Sequence, residues 1–83
     1  MLANEARQKA CEIIWNSLPS ILCYNIEDAV NKGGFNCEII FNDDKMDKAN
    51  FDDCIGYFNN LDELGYQTAM YRELGTYVIA IMW

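Results

Sequence analysis

The sequence predicts an α+β domain of order ααβαββ, with a three-stranded, mostly antiparallel sheet and helices packed on one of its faces. Three observations predict it. Apolar residues recur at helical spacing before residue 32 and again from Phe51 to Leu64. The stretch "FNCEIIFN" alternates with the period of a strand. The C-terminal "YQTAMYRELGTYVIAIMW" places β-branched and aromatic residues on both sides of a turn at Glu73–Thr76, as a hairpin does.

The first helix spans residues 3–17, with Ala3, Ala6, Ala10, Ile13, Ile14 and Ser17 at helical spacing. "NSLPS" interrupts it. Ser17 can cap and proline suits a first turn, so a second helix is expected from about Leu18 to Asn31; one kinked helix is the alternative. Leu22, Ile26, Ala29 and Val30 form its stripe, and Gly33-Gly34 supplies the exit. The strand that follows puts Cys37, Ile39 and Phe41 on one face and Glu38, Ile40 and Asn42 on the other. A third helix is expected to start at Asp47 or Asn50, either of which can cap. It carries Phe51, Cys54, Ile55, Phe58, Leu61 and Leu64 inward and ends at Gly65. Strand, helix, strand in succession implies a right-handed crossover before the hairpin.

Eighty-three residues form a single domain, 1–83, since two halves would each lack a core. Scaling puts its folded surface near roughly 5,100 Å². At 52% apolar the chain is too hydrophobic for an acidic disordered tail. Thirteen Asp and Glu against six Lys and Arg give a net charge of −7. Direct binding to nucleic acid, which needs clustered bases, is therefore not expected; a basic protein surface is the natural partner. "MLANEARQKACEIIW" has no basic start followed by a long apolar run, so no signal peptide is read there. No stretch has the length of a membrane span, and the expected compartment is the cytoplasm. Cys11, Cys23, Cys37 and Cys54 are widely spaced and the chain has no histidine. They read as reduced, small core hydrophobes, since a zinc site normally has close ligand pairs.

"FNDDKMDKANFDD", residues 41–53, holds five aspartates against two lysines. A calcium loop beginning at Asp43 would need oxygen ligands at its third, fifth and twelfth places and glycine at its sixth. Those places hold Lys45, Asp47, Cys54 and Lys48, so the template fails and no metal or other cofactor is expected. Helix capping and the helix dipole account for part of the cluster. They do not account for Asp62 and Glu63, at the far end of the same helix. Asp43, Asp44, Asp47, Asp52, Asp53, Asp62 and Glu63 together read as a negative strip that could dock on Lys and Arg in place of phosphates. A solubilising surface is the plainer account of the same acids.

No catalytic residues are expected. Without histidine there is no histidine base, and no GxSxG, P-loop or GxGxxG occurs. "NKGGFN" reads as a helix exit, and no base activates any cysteine. In the last strand Val78, Ala80 and Met82 alternate with Tyr77, Ile79, Ile81 and Trp83. One of these sets faces away from the helices. Tyr71, Val78, Ala80, Met82 and Trp83 are the candidate oligomer interface, with a homodimer the expected assembly.

The segments "IEDAVNKGGFNCEIIF" and "FNNLDELGYQTAMYRELGTYVIAIMW" resemble a pattern of small phage proteins. In these, a helix with "IE.A" leads to a strand, and a helix ending "L.ELGY" leads to a hairpin finishing in "I.W". The resemblance covers about two thirds of the chain and rests on packing residues, so it implies fold and origin but no active site. It implies a phage-encoded inhibitor of host defence of the anti-CRISPR type. Combined with the charge, this makes the expected function a non-catalytic inhibitor that docks on a basic, nucleic-acid-binding surface of a host complex. The alternative is an oligomer that sequesters a signalling nucleotide between subunits, with Arg72, Arg7 and Lys32 as its few phosphate-binding bases.

Overall fold

A computed structural model describes residues 2–83. Helices α1 (Ala3–Ser17) and α2 (Ser20–Asn31) are followed by strand β1 (Asn36–Asn42). Then come α3 (Lys45–Ile55), α4 (Phe58–Glu63) and the hairpin of β2 (Gln67–Glu73) and β3 (Thr76–Met82). The sheet order is β1-β3-β2 and both pairings are antiparallel. β1 and β2 therefore run parallel to each other, with β3 between them. This is the α+β class the sequence predicts.

Pro19 separates two helices. Leu18 and Pro19 are both extended, with ψ of 148° and 141°. The residue before a proline is driven out of the helical region by its ring, and the missing proline N–H costs nothing at a helix start. Ser17 does not cap α2: its hydroxyl donates back to the Ile14 carbonyl at 2.6 Å. Leu22 and Ile26 are the buried residues of α2, and Leu18, just before the helix, continues their line at the same spacing of four, while Val30 stays exposed. The ends of α2 and α4 use one motif. Gly34 N–H reaches the Ala29 carbonyl and Tyr66 N–H the Leu61 carbonyl, with Gly33 and Gly65 in the left-handed conformation between.

The third predicted helix is two. Gly56 and Tyr57 leave the helix between α3 and α4, glycine being a poor helix former. The inward stripe survives the break: Phe51, Cys54 and Leu61 are buried, and Ile55, Phe58 and Leu64 pack against them. α2 and α3 lie on β1, α3 also reaches β3, and α4 lies on β2. The core sits between these helices and one sheet face, where Ile39, Phe41, Ile79 and Ile81 are buried. Phe51 meets Phe41 edge-on at 5.7 Å between ring centroids and Tyr77 at 4.9 Å. All four cysteines are free thiols, and burial with the nearby Asp53 carboxylate pushes the Cys54 thiol up to about 11.

α1 is different in kind. None of its residues is buried; Cys11, Ile14 and Trp15 are half-buried, and Ile13 is exposed. A fifteen-residue helix is about 22 Å long, so its N-terminal turns extend beyond the core. The molecule accordingly measures 49 × 26 × 17 Å, and its exposed surface, 5846 Å², exceeds the scaling value for a compact chain.

Candidate protein-docking surface

The acids that the sequence groups together divide into two sets. At the front of α3 they are occupied by the protein itself. Asp44 is the N-cap, and its carboxylate accepts the Asp47 N–H at 2.8 Å. Asp47 in turn accepts the Asn42 N–H at 2.9 Å, tying the helix start to the end of β1. This is a reciprocal cap in which the second acid reaches the preceding strand rather than the capping residue. The sequence expectation of Asp47 or Asn50 as the cap is thus corrected to Asp44, and the helix begins two residues earlier than the earlier candidate. Asp43 bonds Arg72 at 2.9 Å, and the Arg72 guanidinium lies 5.2 Å from the centre of the Tyr77 ring. That pairing spans 29 positions of chain and has no signal in the sequence. The spacing Asp44-x-x-Asp47 directly after a strand was the readable sign of the cap.

Further along, Asp52 and Asp53 stand in the second half of α3, and Asp62 and Glu63 close α4. All four are exposed, and none has a salt-bridge partner among the described residues, where the ion pairs are Lys32–Asp28 and Arg72–Asp43. Because α3 starts at Lys45, Asp52 and Asp53 lie in its C-terminal half. The helix dipole, expected to favour them, opposes them. Neither capping nor the dipole explains their presence. Both helices pack on the same side of the sheet, so the free carboxylates project from one layer of the molecule.

The candidate oligomer residues also divide. Strand register places Tyr71, Val78, Ala80 and Met82 on the sheet face away from the helices, together with Ile40, Ala69 and Glu38. Val78 is only 2% exposed there, in the row between Ile40 and Tyr71, although it is no part of the helix-side core. The Tyr71 hydroxyl donates to Glu38 across β3 at 3.2 Å. Trp83 lies on the other side, its ring edge-on to Tyr66 at 5.8 Å between centroids, while its main-chain N–H donates to the Phe35 carbonyl.

Two shallow clefts of about 390 and 440 Å³ share Trp15 and Tyr66 as walls, and hold Glu12 and Glu27 respectively. No lysine or arginine lines either. Arg72 is held by Asp43 and Lys32 by Asp28, so two of the three bases named for phosphate binding are already paired. No group of three or more acids or thiols among the described residues is arranged to hold a metal. Nor is any described helix long and apolar enough to cross a membrane. Compared with family models, curated proteins and solved structures, the chain matches none.

Proposed function

We propose that this protein is a non-catalytic, acidic binding protein that docks on a basic, nucleic-acid-binding surface of another protein, as a phage-encoded inhibitor of a host defence complex in the host cytoplasm. The observation that carries this reading is the unpaired set Asp52, Asp53, Asp62 and Glu63, four exposed carboxylates with no structural task on two adjacent helices. Carboxylates so placed meet Lys and Arg as phosphates do, and a net charge of −7 speeds the encounter. Asp43, Asp44 and Asp47 support the surface mainly by holding its first helix in place. The nucleotide-sequestering alternative has less behind it, since its candidate clefts bring acids and no bases to a phosphate.

The test is capture from host lysate at low salt, run beside the Asp52→Asn, Asp53→Asn, Asp62→Asn, Glu63→Gln variant. A specific partner is expected with the native chain, displaced by added salt or by competing duplex DNA, and about tenfold or more weaker with the variant. Equal recovery by both proteins, or no partner at low salt, overturns the proposal.

A further inference from the structure

β2 is a free sheet edge. It spans seven residues without proline or lysine, and its pairing with β3 runs without a bulge. These are devices by which edge strands are usually guarded. Six of its residues are exposed. The hairpin loop is the two residues Leu74 and Gly75, both at positive φ, closed by the pair Glu73 and Thr76. In such a hairpin the closing pair exchanges both main-chain hydrogen bonds, and alternate pairs do so from there on. Glu73, Tyr71, Ala69 and Gln67 therefore point their N–H and C=O groups at β3. Thr68, Met70 and Arg72 point theirs outward. The same alternation carried across β3 turns the Asn42 N–H of β1 outward, where it meets Asp47.

We infer that the protein forms a twofold dimer in which β2 pairs antiparallel with β2 of a second copy, centred on Met70, to make a continuous six-stranded sheet. This register brings every outward group of one edge to an outward group of the other. Met70 pairs with the second Met70, and Thr68 with Arg72 in both directions; each pair exchanges two main-chain hydrogen bonds. Shifting the register by one residue would oppose inward-bonded to outward-bonded positions, and shifting it by two would leave an outward residue unpaired in each copy. Side chains agree with it. On the open face, Ala69 lies opposite the larger Tyr71, a close, complementary pair. Gln67 lies opposite Glu73 and can donate to it. No like charges meet.

On the helix side, the exposed Met70 borders a groove of about 350 Å³ lined by Phe51, Ile55 and Tyr77, with Asp52 and Arg72 also on its wall, which the second copy's Met70 adjoins. The edge strand carries one acid, Glu73, next to Arg72, so its own side chains add no net charge to the contact between two chains of charge −7. The other edge, β1, lacks these properties. Its outward Asn42 N–H is already taken by Asp47. A ladder of seven residues is about 24 Å long, a small contact beside a standard interface, so the dimer is expected in the micromolar range.

The inference rests on main-chain pairing and not on the acids of the proposed function, although Asp52 borders both surfaces, and salt separates the two. Added salt screens the repulsion between copies and tightens the dimer, whereas it weakens docking on a basic partner. The test is sedimentation of the full chain over a concentration series, with hydrogen exchange on the dimer. A monomer–dimer equilibrium is expected, with protection from exchange rising at Thr68, Met70 and Arg72. Met70→Pro removes an outward N–H that β3 does not use, so the monomer fold is retained while dimerisation weakens about tenfold or more. Met70→Lys, which leaves the main chain intact and sets two lysines together at the twofold axis, gives the same result if the proline variant fails to fold. A native chain that stays monomeric at millimolar concentration overturns the inference. So does a dimer unaffected by both Met70 variants but abolished by Ile40→Asp, which would place the contact on the open sheet face.

Discussion

Asp44 and Asp47 at the front of α3 and Asp52 and Asp53 in its rear half have the same chemistry and lie within ten positions of one another, yet they do different work. The front pair accepts main-chain N–H groups from Asp47 and Asn42. The rear pair accepts nothing from the protein and stands where the helix dipole disfavours a negative charge. A carboxylate near a helix start satisfies donors that would otherwise go unpaired, whereas one a turn or two later costs a little and must be retained for something else. Composition cannot tell the two apart; position relative to the helix start can.

The largest effect expected in this region comes from pH. Desolvation, and then the Asp53 charge, raise the Cys54 thiol from 9.0 to about 11. A thiol that ionises less readily folded than unfolded contributes stability that is complete below pH 9 and lost as pH climbs towards 11, here about 2–3 kcal/mol. Thermal melts between pH 8 and 11 should show the midpoint falling. Cys54→Ala should start less stable but flatten that fall, and Asp53→Asn should move it slightly to lower pH. A profile unchanged by Cys54→Ala would mean that another group controls it.

Next in size is the cap. Asp44→Ala is expected to cost about 0.5–2 kcal/mol, and Asn50→Ala nothing comparable, as read by denaturant midpoint. Asp47→Ala should fall just below, at about 0.5–1.5 kcal/mol, for the lost hydrogen bond to Asn42. If Asp52→Asn or Asp53→Asn costs as much as Asp44→Ala, the distinction between front and rear collapses. Smaller again is Asp43→Asn, which breaks an exposed pair with Arg72 worth about 0–1 kcal/mol and should shrink further in high salt. The smallest stability effect is expected for neutralising Asp52, Asp53, Asp62 and Glu63, each within about 0.5 kcal/mol of no change and of stabilising sign at Asp52 and Asp53. Their effect should appear in association with a basic partner instead.

Much of the fold was legible because local rules governed it. The alternation in "FNCEIIFN" assigned both faces of β1 correctly, since side-chain direction in a strand depends only on parity. The glycines after α2 and α4 marked helix exits because few other residues adopt the left-handed conformation there. The hairpin turn was readable too, although Leu74, at φ 39°, occupies a place where asparagine or glycine is the usual choice. The site was less legible. Asp47 and Asn50 stand nearer the apolar run than Asp44 does, which hides the true cap, and the inward stripe continues across Gly56, which hides the break.

By itself the sequence determined the α+β class, the six expected elements other than the break in the third helix, the separation of apolar from polar strand faces, and the excess of negative charge. These follow from periodicity, turn chemistry and composition, each of which acts over a few neighbouring residues. Only the tertiary structure decided the rest. It joined Asp43 to Arg72 across the sheet and turned Trp83 towards Tyr66. It placed β3 between β1 and β2, leaving β2 with a free edge, and left α1 with no buried residue. The physical reason is that each of these depends on contacts between residues far apart in the chain. Such contacts are chosen by which apolar faces can be buried together, not by any local preference of the residues that meet.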